Sequence, residues 1–139
     1  MFIKLSADPI ALLEAKAAVH HPTCGAIAFF EGNIRIQNDG KVVAGLEYHV
    51  YDAFFYKEVQ RIAEEIDTQW TIHEIAFLQR VGRLDVGESG IIIAASSIHR
   101  RDALQAVDYA IEHFKKRAPV WKKELYRDSA EWIVCHHGN

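Results

Sequence analysis

The sequence predicts an α+β or α/β fold in which three helices pack on a mixed, mostly antiparallel sheet. Two observations carry this expectation. Apolar residues recur at helical spacing in three separate stretches, and strand-length apolar or alternating runs fall between them in the order helix, two strands, helix, two strands, helix, strand. At 139 residues, half apolar and a quarter charged, the chain has the size and composition of one ordered domain spanning 1–139.

The first helix is predicted over Ile10 to Val19, with Asp8 as cap and Pro9 in the first turn. GAIAFFEG, Gly25 to Gly32, reads as a buried strand. NIRIQNDGKVV follows, in which Asn38, Asp39 and Gly40 signal a tight turn between extended flanks. VVAGLEYHVY alternates, with Leu46, Tyr48 and Val50 on one face and Glu47 and His49 on the other. Asp52 is placed to cap a second helix whose buried stripe is Phe55, Val59, Ile62 and Ile66. TIHEIAFLQRVG reads as a strand, Gly82, Gly87 and Gly90 interrupt a loop-rich stretch, and IIIAASS is a further strand. The third helix is predicted with Asp102 as cap and with Leu104, Val107, Ile111 and Phe114 as its buried stripe. Pro119 stops it, and the following Trp121 suggests a fixed loop that aims lysines. AEWIVCHH is the expected last strand.

Charge narrows the function. The net charge is −3, which argues against a broad nucleic-acid surface, yet cations and imidazole bracket the third helix. His99 and Arg100 precede it, where free N–H groups and the helix dipole already favour an anion. Lys115, Lys116 and Arg117 close it, and Lys122 and Lys123 follow the break. Lysines that are desolvated or crowded by other cations serve as acids, bases or nucleophiles, so Lys115 and Lys122 are candidates for a reactive amine. Arg35, just before the predicted turn, can grip phosphate or carboxylate with two prongs, but a lone arginine beside a hairpin is more often a solvated edge residue, so on physics alone it is a minor candidate. Cys24 and Cys135 lack ligand spacing, and the adjacent histidine pairs His20-His21 and His136-His137 would point to opposite faces, so no metal site is expected. No G-x-G-x-x-G, Walker loop or G-x-S-x-G is present. With no bilayer-length apolar segment and no signal-type N-terminus, a cytoplasmic location is expected, away from any membrane.

FFEGNIRIQNDGKVVAGLEYHVY, the VGRLDVGE loop, SSIHRRDA and above all FKKRAPVWKKE resemble the large, catalytic subunit family of molybdopterin synthase, from about Gly25 to Trp132. The last two motifs, in this order and spacing, are highly specific. The resemblance implies an α/β hammerhead-like fold with a small added subdomain. It also implies a sulfurtransferase that inserts two sulfurs into cyclic pyranopterin monophosphate to make the molybdopterin dithiolene. The implied sulfur donor is a small ubiquitin-like subunit whose C-terminal Gly-Gly carries a thiocarboxylate. Two large subunits would form a homodimer within a heterotetramer, with no metal or dissociable cofactor. Carried over by motif, the substrate-binding set is Arg35, His99, Arg100, Lys115 and Lys122, with Lys115 and Lys122 catalytic and Asn33, Ile34, Lys123 and Glu124 lining the same pocket. Asn33 departs from the family, which often has lysine there. A non-catalytic scaffold for a ubiquitin-like protein or an anionic metabolite, and a small phosphate-ester enzyme, are the competing readings.

Overall fold

The computed structural model describes residues 1–127 and 130–134. In chain order the elements are β1 (Phe2–Ser6), α1 (Leu12–Val19), β2 (Ala26–Asn33), β3 (Gln37–Asn38), β4 (Lys41–Val50) and α2 (Asp52–Gln69). They continue with β5 (Glu74–Arg80), β6 (Gly82–Asp85), β7 (Ser89–Ser97), α3 (Arg100–Arg117), β8 (Val120–Tyr126) and β9 (Ala130–Val134). The result is an α+β fold with two sheets. One runs β1-β5-β7-β2, antiparallel except for the β1/β5 pair; the other runs β3-β4-β8-β9, with β6 also paired to β4.

The first sheet is covered on both faces. Ala76, Leu78, Ile92 and Ala94 pack with Ala15 and Val19 of α1. The opposite phase of the same strands, Ile75, Phe77, Ile91, Ile93 and Ala95, packs with α2 and α3 in the main core. α2 buries Phe55, Val59, Ile62 and Ile66, as its spacing requires, together with Ala63. α3 differs from expectation. Its buried face is Ala103, Ala106, Val107, Ala110 and Phe114, while Leu104 is 58% exposed. Three alanines let the helix lie close on β2 and β7, so small residues and not the larger leucine mark the inward stripe.

Other expectations are corrected at element ends. α1 starts at Leu12 with Ala11 as cap, because the Ser6 hydroxyl bonds both the N–H and the carbonyl of Asp8 and holds that segment in a bend. Neither Asp52 nor Asp102 caps its helix: Tyr51 and His99 occupy those positions, and at α3 the Ser97 hydroxyl reaches over to accept the Ala103 N–H at 3.1 Å. The tight turn forms as expected, with Asp39 and Gly40 both at positive φ (52° and 78°) joining β3 to β4. β1 and β6 are additional strands. The segment after Pro119 is a strand, β8, and not a loop; its Trp121 stands edge-on to Tyr51 at 5.0 Å between ring centroids. Cys135, His136 and His137 of the predicted last strand lie outside the described residues.

An ionic network ties α2 to α3. Arg117 donates from Nε to Glu58 at 2.6 Å and through both terminal nitrogens to Glu65 at 2.7 and 2.8 Å, the two-pronged geometry that favours arginine. Tyr109 donates to the same Glu65 at 2.5 Å. The Arg117 bonds, then the Tyr109 bond, hold the Glu65 carboxyl at about 2, below its ordinary 4.5. Between those values the unfolded chain binds more protons than the folded one, so stability from Glu65 is fully present above pH 4.5 and is lost as pH falls through about 2. Denaturation curves across this range will show that slope, and Glu65→Gln will flatten it; an unchanged slope would exclude the network as its source.

Candidate functional site

A cavity of about 260 Å³ opens where the end of β2, the strands β4 and β8 and the last turn of α3 meet. Each wall has a local cause. β2 slips register against β7 between Gly32 and Asn33, a bulge that re-aims the chain as it leaves the first sheet. The next residue, Ile34, is buried and clamped on both sides: its N–H donates to the Glu88 carbonyl at 3.0 Å, and its carbonyl accepts the Gly87 N–H at 2.9 Å. Gly87 can present that N–H because it sits at φ +91°. Glu88 is fixed in turn by the Asp85 N–H and the Arg80 guanidinium, which together hold its carboxyl below the usual range. Arg35 therefore leaves a rigid point at the cavity wall.

α3 supplies Ile111, Phe114 and Lys115, neighbours on one face at three- and four-residue spacing. The three cations of its last turn have different fates. Lys116 pairs with Glu112 and Arg117 with Glu58 and Glu65, whereas Lys115 has no ion pair among the described residues. β8 alternates, so Lys122 and Glu124 face the cavity beside their β4 partners Tyr48 and Leu46, and Lys123 lies on the reverse face opposite Glu47. Glu124 is buried but satisfied. Asn38 donates to both its oxygens at 2.9 and 3.0 Å, Tyr126 donates at 2.6 Å, and the Lys122 ammonium stands 4.0 Å away. The Asn38 contact also ties the β3–β4 hairpin to the cavity wall.

The structure thus brings Asn33, Ile34, Arg35, Lys115, Lys122 and Glu124 around one space. Lys123 does not line it. His99 and Arg100 are exposed at the other end of α3, roughly 22 Å from Lys115 at 1.5 Å rise per residue. Sequence reasoning missed Asn38, which it took only as a turn former, and Gln79, which shares the inward phase of Ile75 and Phe77 on β5 and reaches the cavity floor. That phase was the available signal. Chemically the arrangement is an apolar, partly aromatic floor of Phe30, Ile91 and Phe114 under a rim of cations, suited to a flat ring carrying an anionic group. Among the described residues no three metal-binding side chains cluster, and no helix is long and apolar enough to cross a membrane.

The family model described as MoaE protein matches residues 5–117. A molybdopterin synthase catalytic subunit of Homo sapiens is 41% identical over 130 residues, covering 94% of this chain and 69% of the relative. Molybdopterin synthase catalytic subunit 1 of Aedes aegypti is 42% identical over 135 residues, covering 94% and 87%. The solved molybdopterin synthase of Staphylococcus aureus superposes with a TM-score of 0.88 at 32% identity, covering 93% of this chain and 94% of that one.

Proposed function

Given that the chain belongs to the MoaE family, and so to the catalytic subunits of molybdopterin biosynthesis, we propose that it is the sulfurtransferase that converts cyclic pyranopterin monophosphate to molybdopterin. One observation supports this reading above the others. Arg35 and Lys115, neither with an ion-pair partner among the described residues, converge with Lys122 on a single ring-sized cavity. In this reading Arg35 neutralises the cyclic phosphate while the ring lies on the aromatic floor.

The sulfur comes from the thiocarboxylate at the C-terminal Gly-Gly of a small ubiquitin-like subunit. Its sulfur attacks an electrophilic carbon of the pterin side chain, forming a carbon–sulfur bond as a carbon–oxygen bond at that carbon breaks. The displaced oxygen leaves as water or as the freed arm of the cyclic phosphate, and the acyl group is still attached to the sulfur. Transfer of the acyl group to water then leaves the sulfur on the pterin and releases the carrier as a carboxylate. Lys115 moves the proton or takes up the acyl group transiently, and Lys122 steadies the developing negative charge. Two rounds supply the dithiolene.

One small molecule cannot touch both Lys115 and Arg100 of the same helix. The proposal therefore includes a homodimer, in which the His99 and Arg100 end of one α3 completes the cavity of the other copy, with one small subunit on each. Ile98 and Leu104, 57% and 58% exposed beside that end, are the apolar contacts such a neighbour would cover.

The test is reconstitution of the purified chain with thiocarboxylated small subunit and cyclic pyranopterin monophosphate. Dithiolene should accumulate beyond one equivalent per chain when fresh carrier is supplied. Binding without sulfur transfer would favour the scaffold reading, and turnover without the carrier would favour a phosphate-ester enzyme. Arg35→Ala, and separately Arg100→Ala, are expected to weaken precursor binding by about 10- to 100-fold, the worth of one charged hydrogen-bonded contact, with small-subunit binding retained. A calorimetric titration checks this; unchanged precursor affinity removes that arginine from the phosphate site.

A further inference from the structure

Two of the side chains that line the cavity are both polar and buried, Glu124 and Gln79. Glu124 has its donors. Gln79 is 1% exposed, and its only described hydrogen bond runs from Nε2 to the Arg80 carbonyl at 2.9 Å. Because a carbonyl can be met only by a donor, that bond fixes which way round the amide lies. The Gln79 carbonyl oxygen is then the atom offered to the cavity, and it has no donor among the described residues.

Its surroundings make this costly. Gln79 continues the inward row of Ile75 and Phe77, pairs across the sheet with Ile91, and shares the floor with Phe30 and Phe114. A leucine or methionine would fit that row with no polar group to desolvate, and an amide oxygen kept there unsatisfied is destabilising. The position is also rigid. Arg80, next along β5, is 4% exposed and locked by Glu88 and by the carbonyls of Ala7 and Arg83. Gly32 lines the cavity next to the same row, across β7, where even a Cβ would stand 3.1 Å from Ile91 and 3.4 Å from the Phe30 ring. The floor therefore holds one fixed acceptor within an otherwise apolar, close-packed surface.

We propose that Gln79 is a specificity-determining residue: its side-chain oxygen accepts a hydrogen bond from an N–H on the edge of the bound heterocycle that lies away from the phosphate. This rests on the pocket reading given under Proposed function and adds how the ring itself is recognised. A site with a buried acceptor rejects a ring lacking the matching donor, since the acceptor would then stay unpaired.

The test titrates the full chain calorimetrically with cyclic pyranopterin monophosphate and with its ring-N-methylated derivatives, using wild type, Gln79→Leu and Gln79→Met. Wild type should bind the parent compound on the order of tenfold more tightly than the derivative methylated at the contacted nitrogen, as one neutral hydrogen bond predicts. Both variants should lose that preference and weaken for the parent by a similar factor; in turnover reconstituted with the thiocarboxylated small subunit, the effect should fall on KM and not on kcat. If a variant fails to fold, the wild-type comparison still decides: equal affinity for every methylated form overturns the proposal, as does a folded variant that keeps the preference. Wild type that binds none of these compounds would instead overturn the pocket reading on which this one stands.

Discussion

Replacing Lys115 with alanine is expected to cut dithiolene formation by about 100- to 1,000-fold, the usual loss when one positioned group is removed from a developing charge. Three features of this lysine argue for so large an effect. It is half-buried on the cavity wall, it stands on the last turn of a long helix and not on a loop, and it alone of Lys115, Lys116 and Arg117 is not held by a carboxylate. Loss of the side chain should leave folding intact, because the core contacts of that turn come from Phe114 and Ala118. The measurement is single-turnover sulfur transfer in the reconstituted mixture, with thermal unfolding and small-subunit binding as controls. Lys115→Arg separates charge from proton transfer: it should bind precursor nearly normally and still turn over slowly. Near-normal turnover by a folded Lys115→Ala chain would remove this residue from the chemistry.

The second large effect is on stability. Phe55→Ala should destabilise the chain by about 3–5 kcal/mol, as deletion of a fully enclosed aromatic ring generally does. Phe55 is fully buried, and its ring stands edge-on to Phe114 at 5.8 Å, while Phe114 in turn stacks with Phe77 at 6.3 Å. A typical domain has only about 5–15 kcal/mol in all, so the midpoint of urea unfolding should fall sharply. The cavity would feel it as well, since Phe114 belongs both to the core and to the cavity floor. A shift below about 1 kcal/mol, the range of surface changes, would mean that this ring is not packed as described.

Where one period dominated, the fold was legible. The α2 stripe, the β2 and β7 runs, the Asn38-Asp39-Gly40 turn and the Pro119 stop each follow from a single local rule. β8 was hidden because its inward residues, Lys122 and Glu124, face a polar cavity and leave no apolar alternation to detect. β1 and β6 are short, and β6 begins at Gly82, whose φ of +83° suits the loop that the glycines suggested. At α3 alanines carry most of the buried face beside Val107 and Phe114, so a stripe drawn through bulky residues alone takes in the exposed Leu104. For the site, six of the nine anticipated residues line one cavity, drawn together by strands that pair across distant parts of the chain. The separation of His99 and Arg100 from Lys115 was already implied by an 18-residue helix. Placing them in one site requires the second copy proposed above, which no single chain's periodicity can display.

That helix works as a calliper. Its two charged tips are held a fixed span apart and at a fixed angular phase, so a single residue inserted midway would swing one tip by about 100° relative to the other. In the proposed dimer, where the two tips serve different cavities, that span is fixed by the distance between them.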